Sequence, residues 1–300
     1  MSIAGRGSSA RVGAARRRSG PVRCVVTAVS RPTPRMVRVD LQGDGLVGVS
    51  ATGPDQRVKL AFPDGRRFGS DPAEAGRARR RRRTYTLLEL DGAAGVATVE
   101  FVVHAGGLAG DWADAVQPGD ELDLTGPVGS WELDAGATEL VLACDETGVP
   151  ALLAIAEAVT RDAAGASTPP VRAFVEVEDA AERRDLPTGV EVTWLLRSAH
   201  PGVAAGDLLA ALADTLTCEA GAQAWVAGEA QAVLALRAHL QGSLGLERAR
   251  ISAVAYWTRG HAEGDPATGR PGGTEAPRAS HPAEGASARS EGQDTGGERP

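Results

Sequence analysis

Two hydrophobic periodicities divide the chain. Between Val22 and Leu133 the apolar residues alternate with polar ones or run in short blocks bounded by Gly, Pro and Asp. The blocks Val22–Val29, Met36–Leu41, Gln56–Phe62, Thr84–Leu90, Val96–Val103 and Asp120–Leu124 predict strands, with no long amphipathic helix between them. That series predicts a small antiparallel barrel. Pro118-Gly119-Asp120 and Gly126-Pro127-Val128-Gly129-Ser130 predict tight turns.

From Thr138 to Gly260 the period changes. Apolar blocks at Glu139–Ala143, Val171–Val177, Val190–Leu196, Ala222–Ala227 and Ile251–Trp257 predict strands. Between them lie helical patterns at Thr147–Arg161, Asp207–Leu216 and Glu229–Leu240. Leu152, Leu153, Ile155, Ala156 and Val159 share one side of the first helix, and Pro150 suits its first turn. Alternating strands and helices predict a parallel sheet with helices on its faces, whose ligands bind beyond the carboxyl ends of the strands. The fold class is therefore β + α/β: a barrel domain at 21–135, then an α/β domain at 136–261.

Composition trims both ends. Residues 1–20 are rich in Gly, Ser, Ala and Arg, and residues 262–300 contain no Val, Ile, Leu, Phe, Tyr or Trp. Neither can bury enough apolar surface to offset ordering entropy, so both are expected to be disordered. The head carries +5 and the tail −3, which leaves −9 of the net −7 on the body. An acidic body argues against general nucleic-acid binding. No apolar run approaches the ~20 residues of a membrane span. The basic N-terminus is not followed by the apolar segment of a secretory signal. Cys24, Cys144 and Cys218 are widely spaced and contain no CxxC, which fits a reducing cytoplasm better than a disulfide framework or metal site.

The chemistry concentrates between Arg83 and Ala113. Arg83 and Tyr85 share a strand face, with Thr86 next in line. A ring, a hydroxyl and a forked guanidinium together suit a flavin diphosphate: the ring packs on the isoalloxazine and the guanidinium pairs with pyrophosphate. His104 ends the following strand. The run Ala105-Gly106-Gly107-Leu108-Ala109-Gly110 then lets the backbone approach an anion closely. Asp111-Trp112-Ala113 reads as the start of a short helix, whose N-terminus favours phosphate. Taken singly, each feature has a plainer reading: a hairpin loop, a structural histidine, a core tryptophan. Arg77, Arg79, Arg80, Arg81, Arg82 and Arg83 form a basic run that is a solvated loop, an extended clamp on nucleic acid or membrane, or a positive patch that attracts an anionic iron chelate.

The second half lacks the GxGxxG fingerprint. Its first strand runs into Cys144-Asp145-Glu146-Thr147-Gly148-Val149-Pro150. Carboxylates there compete with phosphate for the positive helix end, so a pyrophosphate is not expected at that turn. Asp145 or Thr147 can equally be a helix cap. Glu178 and Asp179 would suit ribose hydroxyls, whereas Arg183 and Arg184 would suit a 2′-phosphate.

In order and spacing, these segments resemble the siderophore-interacting proteins, flavin-dependent ferric-siderophore reductases of the ferredoxin–NADP reductase-like superfamily. The resemblance rests on Arg83-Thr84-Tyr85-Thr86, Phe101-Val102-Val103-His104, Gly106–Ala113, Asp145–Ala151, Trp225–Ala230 and Tyr256–Gly260, and spans residues 21–261. It implies a Greek-key FAD-binding barrel and an NAD(P)H-binding-like domain. The implied cofactor contacts are Arg83, Tyr85, Thr86, His104, Gly107, Ala109, Gly110, Trp112 and Ala113, with Asp145, Thr147, Gly228, Glu229 and Trp257 toward the flavin–nicotinamide region. Trp257 would cover the isoalloxazine or, alternatively, pack in the core. Lys59 and Arg259 are the cations implied for the ferric siderophore. Leu88, Val128 and Thr258 stand where the family often carries basic residues, so the flavin site looks better kept than the chelate site. The implied donor is NADPH or NADH, with a ferredoxin as the alternative. The rival readings are a general NAD(P)H:flavin oxidoreductase and a non-enzymatic binding module.

Overall fold

The computed structural model describes residues 20–62, 82–104, 107–129, 131–161 and 168–261. The basic head, the polar tail and Arg77, Arg79, Arg80 and Arg81 of the basic run lie outside the described residues.

The alternating first half folds as six strands: β1 (Val22–Thr33), β2 (Met36–Gln42), β3 (Arg57–Ala61), β4 (Arg82–Asp91), β5 (Val96–Val102) and β6 (Glu121–Val128). They close into an antiparallel barrel in the order β1-β2-β5-β4-β3-β6. Alternate residues point inward, so Val22, Cys24, Val26, Val37, Val39 and Leu41 meet Val58, Leu60, Leu87, Val99 and Phe101 in one core. A short helix, α1 (Leu108–Ala115), sets Ala109 and Ala113 into that core.

One predicted turn is corrected. Gly126-Pro127-Val128 continues β6 across a bulge, where Lys59 faces Thr125 and Arg57 faces Val128. Gly126, at φ +132°, makes this possible, because a Cβ there would stand 3.0 Å from the Arg57 carbonyl oxygen. Ser130 lies outside the described residues.

The second half is a five-stranded parallel sheet of β7 (Leu140–Asp145), β8 (Val171–Val177), β9 (Val190–Leu196), β10 (Gln223–Glu229) and β11 (Ile251–Trp257), ordered β11-β10-β7-β8-β9. Every residue of β7 and β10 is buried, as expected for central parallel strands covered on both faces. α2 (Val149–Arg161) packs on one face through Leu152, Ile155 and Val159. α3 (Asp207–Ala211) and α4 (Ala230–Gly242) cover the other through Leu209, Leu236 and Leu240.

An acidic seam joins the two halves. The buried Glu182 carboxylate accepts the Thr33 hydroxyl (2.5 Å) and the Arg35 N–H (3.0 Å). Glu100 of β5 receives a forked Arg184 (3.1 and 3.3 Å) while paired with Arg38 in its own barrel. Arg35 reaches Glu178 at 3.1 Å. Thus Glu178 and Arg184, which the sequence suggests for nucleotide recognition, are held in the seam. Asp179 caps a short turn through the Ala181 N–H. Arg183 is exposed.

Glu182→Ala strands two donors at this seam, each costing about 1–3 kcal/mol. The expected result is a melting temperature lower by roughly 5–15 °C, read by circular dichroism. An unchanged melt would mean that the seam contributes nothing in solution.

Candidate functional site

Strand register gathers the first part of the site. Arg83 lies opposite Leu60 and Tyr85 opposite Val58, which puts both on the core-facing side of β4. The Tyr85 ring packs on Phe101, with centroids 4.6 Å apart, and meets Phe62 edge-on at 6.4 Å. Arg82, Thr84 and Thr86 take the other face. There Lys59 stands across from Thr84, and Arg57 from Thr86. Thr86 is only 5% exposed, yet its Oγ1 makes no hydrogen bond of normal geometry among the described residues. The same holds for the Nε atoms of Arg57 and Arg82. Buried polar atoms left unpaired cost about 1–3 kcal/mol each, so three in one region mark a surface built to receive a polar ligand.

His104 follows β5 and its ring lies over Gly107. A Cβ on Gly107 would stand 2.3 Å from His104 Cε1, and one on Gly110 would stand 2.9 Å from the His104 carbonyl oxygen. Glycine at these two positions lets α1 fold back onto the strand end. The helix begins at Leu108 rather than Asp111, because the extended Gly107 serves as its cap and already accepts the Asp111 N–H at 2.7 Å. Its anion-favouring end therefore lies at residues 107–110. Ala109 and Ala113 are buried in the barrel core, and Trp112 packs on Phe62 (5.2 Å) and Phe101 (5.5 Å). Ala109, Gly110, Ala113 and the half-buried Trp112 position the helix by packing.

Asp145 organises the second part. It is fully buried at the end of β7. Oδ1 accepts the Thr147 N–H (2.9 Å) and hydroxyl (2.5 Å), and Oδ2 accepts the Glu229 N–H (2.8 Å) and the Trp257 indole N–H (2.8 Å). Gly228, at φ +140°, permits this approach, since a Cβ there would stand 2.5 Å from Asp145 Oδ2. Burial pushes the carboxyl up to about 6, the Glu146 charge adds to that, and the bonds from Thr147 and Trp257 oppose it. Glu229 caps α4 by accepting the N–H groups of Gln231 and Ala232, and also accepts the Arg259 N–H. Asp145, Thr147, Gly228, Glu229 and Trp257 thus converge on one point, and every Asp145 lone pair toward them is engaged. Asp145 acts as a cap of the turn that follows β7, and Thr147 is the residue it caps.

Glu146 turns to Arg197, in two bonds of 2.6 and 2.9 Å. Arg197 also holds Glu178 and the fully buried Glu176. Arg259 sits at the surface, paired with Asp207 (2.6 Å) and the Ala205 carbonyl (2.7 Å). Lys59 thus lies on β3 of the barrel, whereas Arg259 follows β11 of the parallel sheet. Sequence reasoning missed Arg57, Arg197 and Tyr256. Tyr256 was visible beside Trp257; the other two depend on pairings that only the folded chain makes.

Residues 25–131 match the siderophore-interacting FAD-binding domain, and residues 137–260 match the siderophore-interacting protein family. The ferric vibriobactin reductase of Vibrio cholerae is 30% identical over 241 residues, covering 76% of this chain and 86% of its own. The NADPH-dependent ferric-chelate reductase of Escherichia coli is 31% identical over 244 residues, covering 77% and 91%. The crystal structure of a siderophore utilization protein from T. fusca superposes with a TM-score of 0.66 at 34% identity, covering 81% of this chain and 94% of that one.

The Asp145 geometry sets two expectations. Asp145→Asn turns an amide N–H₂ toward donors and should cost about 2–4 kcal/mol in urea unfolding at neutral pH. The folded carboxyl titrates near 6 against an ordinary 3.8, so the native state binds the extra proton and wild-type stability from this group falls as pH rises from about 4 to about 6. The wild-type advantage over Asp145→Asn should therefore shrink across that window and stay flat above it; an advantage that grows with pH would overturn the assignment.

Proposed function

The chain belongs to the siderophore-interacting protein family, and from that membership we propose that it is an FAD-dependent oxidoreductase that reduces ferric siderophores with electrons from NAD(P)H. The observation that carries the reading is the β3–β4 surface, where among the described residues buried Thr86 Oγ1, Arg57 Nε and Arg82 Nε make no hydrogen bond of normal geometry. On this reading the barrel domain, residues 21–135, holds the flavin, and residues 136–261 receive the pyridine nucleotide. FAD, when bound, supplies the exchange between a two-electron hydride donor and a one-electron metal acceptor.

The protein's own residues do the rest. Arg83 offers its guanidinium fork to the pyrophosphate, for about 1.5–3 kcal/mol per charged bond. Tyr85, braced from behind by Phe101, presents an aromatic surface to the ring system, and Thr86 a hydroxyl to its edge. His104, Gly107 and the first turn of α1 form the anion-facing end. The indole of Trp257 is fixed by Asp145 at the carboxyl end of the sheet, where a nicotinamide would arrive. Lys59 and Arg259 draw the anionic chelate. Hard oxygen ligands hold Fe(III) far better than Fe(II), so reduction releases the metal. One NAD(P)H yields two electrons and a proton as it becomes NAD(P)⁺, enough for two Fe(III). No protein acid or base is required.

Among the described residues no helix is long and apolar enough to cross a membrane. We assign the reaction to the cytoplasm, a reading supported by three free cysteines.

Purified protein given FAD should show a flavin absorption band that NADH or NADPH bleaches anaerobically and that a ferric siderophore restores. Bleaching by a reduced ferredoxin alone would replace the donor. Recovery with ferric citrate as fast as with any siderophore would favour a general flavin reductase. Arg83→Ala should weaken FAD binding at least tenfold; a fully loaded yellow variant would exclude that role. Lys59→Ala should raise KM for the ferric siderophore about three- to tenfold and leave the rate of bleaching by NAD(P)H unchanged.

A further inference from the structure

Arg57 stands on β3 as a cation whose surroundings are largely uncharged side chains of the described residues. Among the described residues no carboxylate forms an ion pair with it, and its Nε is buried without a hydrogen-bond partner. Its cross-strand neighbour is Thr86, whose buried hydroxyl makes no hydrogen bond of normal geometry among the described residues. From the other domain the Tyr256 phenol feels both groups: the Thr86 hydroxyl and the Arg57 charge oppose the upward shift that its burial causes. Trp225 steadies the Tyr256 ring edge-on, with centroids 6.5 Å apart. Three strands of two domains, β3, β4 and β11, therefore bring two hydroxyls and a guanidinium together at the junction. On the far flank of Arg57 lies Val128, 61% exposed, so the cluster borders open solvent on that side.

We propose that Arg57, Thr86 and Tyr256 clasp the polar edge of the FAD ring, with Arg57 supplying the positive charge that favours the reduced ring. The inference rests on the flavin reading above and adds to it a residue that sets the reduction potential. The chemistry of the cluster fits a ring edge better than a phosphate. A pyrophosphate accepts only, and would call for donors alone. An isoalloxazine edge carries carbonyl acceptors and an N–H donor, and hydroxyls can serve both. Burial pushes the Tyr256 phenol up to about 12, so it remains neutral and able to donate at pH 7. Reduction by two electrons and one proton leaves a negative charge on the ring. A buried guanidinium beside it, with no carboxylate partner among the described residues, then stabilises the reduced form more than the oxidised one. Because Tyr256 comes from the second domain, the clasp is complete only when the two domains are docked.

The test compares wild-type protein, Arg57→Gln, Arg57→Lys and Tyr256→Phe, each reconstituted with FAD and checked for folding by circular dichroism. FAD affinity is read by flavin fluorescence and the midpoint potential by dye equilibration. Arg57→Gln should bind oxidised FAD within about threefold of wild type and reduced FAD about tenfold more weakly, a potential lower by ~30 mV for a two-electron couple. Arg57→Lys should recover at least half of that shift. Tyr256→Phe should weaken oxidised FAD about threefold and leave the potential unchanged. A yellow wild type with a folded Arg57→Gln of unchanged affinity and potential overturns this inference alone. A wild type that takes up no FAD overturns both it and the flavin reading. If Arg57→Gln does not fold, unchanged FAD affinity in both Arg57→Lys and Tyr256→Phe overturns the clasp.

Discussion

The buried carboxylate of Asp145 is the point on which the second half of the molecule depends. A parallel sheet ends in carbonyls and helix starts that need partners, and here one side chain serves three strand ends together. It caps the turn after β7, accepts the first N–H beyond the β10 glycine, and pins the indole at the end of β11. A charge without water is tolerated only when donors surround it, and four donors do so. The two glycine-like demands around it, at Gly148 against Cys144 and at Gly228 against Asp145 itself, follow from that closeness.

The same logic recurs wherever the chain hides a carboxylate. Glu176 takes Arg197 and the N–H groups of Gly206 and Leu209, which fixes the entry to α3. Glu182 and Glu100 each sit between the domains with their donors in place. An acidic body thus does not spread its charge evenly over solvent. It uses several carboxylates as internal anchors, and the cations that answer them, Arg184 and Arg197, are withdrawn from ligand recognition.

That withdrawal sharpens the division of labour. Among the described residues, unanswered buried polar atoms gather on the barrel face that carries Arg57, Arg82 and Thr86, whereas the Asp145 carboxylate at the sheet end has its donors in place. The barrel side is prepared for a tightly held polar cofactor. The sheet side, with its framework closed and Trp257 partly exposed, suits a nucleotide that arrives and leaves. A resident flavin and a transient donor call for that difference in affinity.

Sequence alone determined the element list and the fold class, because hydrophobic period is a local property: β8, β9 and β11 begin and end where alternation and β-branched runs say they should. It also located the β4–β5–α1 stretch, since those residues are contiguous and their types carry the chemistry. It misjudged the start of α1 and the course of β6, where a glycine cap and a bulge overrode turn-like composition. Tertiary structure alone decided which charges are spent. Whether Glu178 or Arg184 meets a ribose or a neighbour, and whether Arg57 has a counter-ion, depends on cross-strand register and on domain docking. Electrostatic pairing acts over a few ångströms between residues up to 149 positions apart, and no local pattern in the chain encodes that distance.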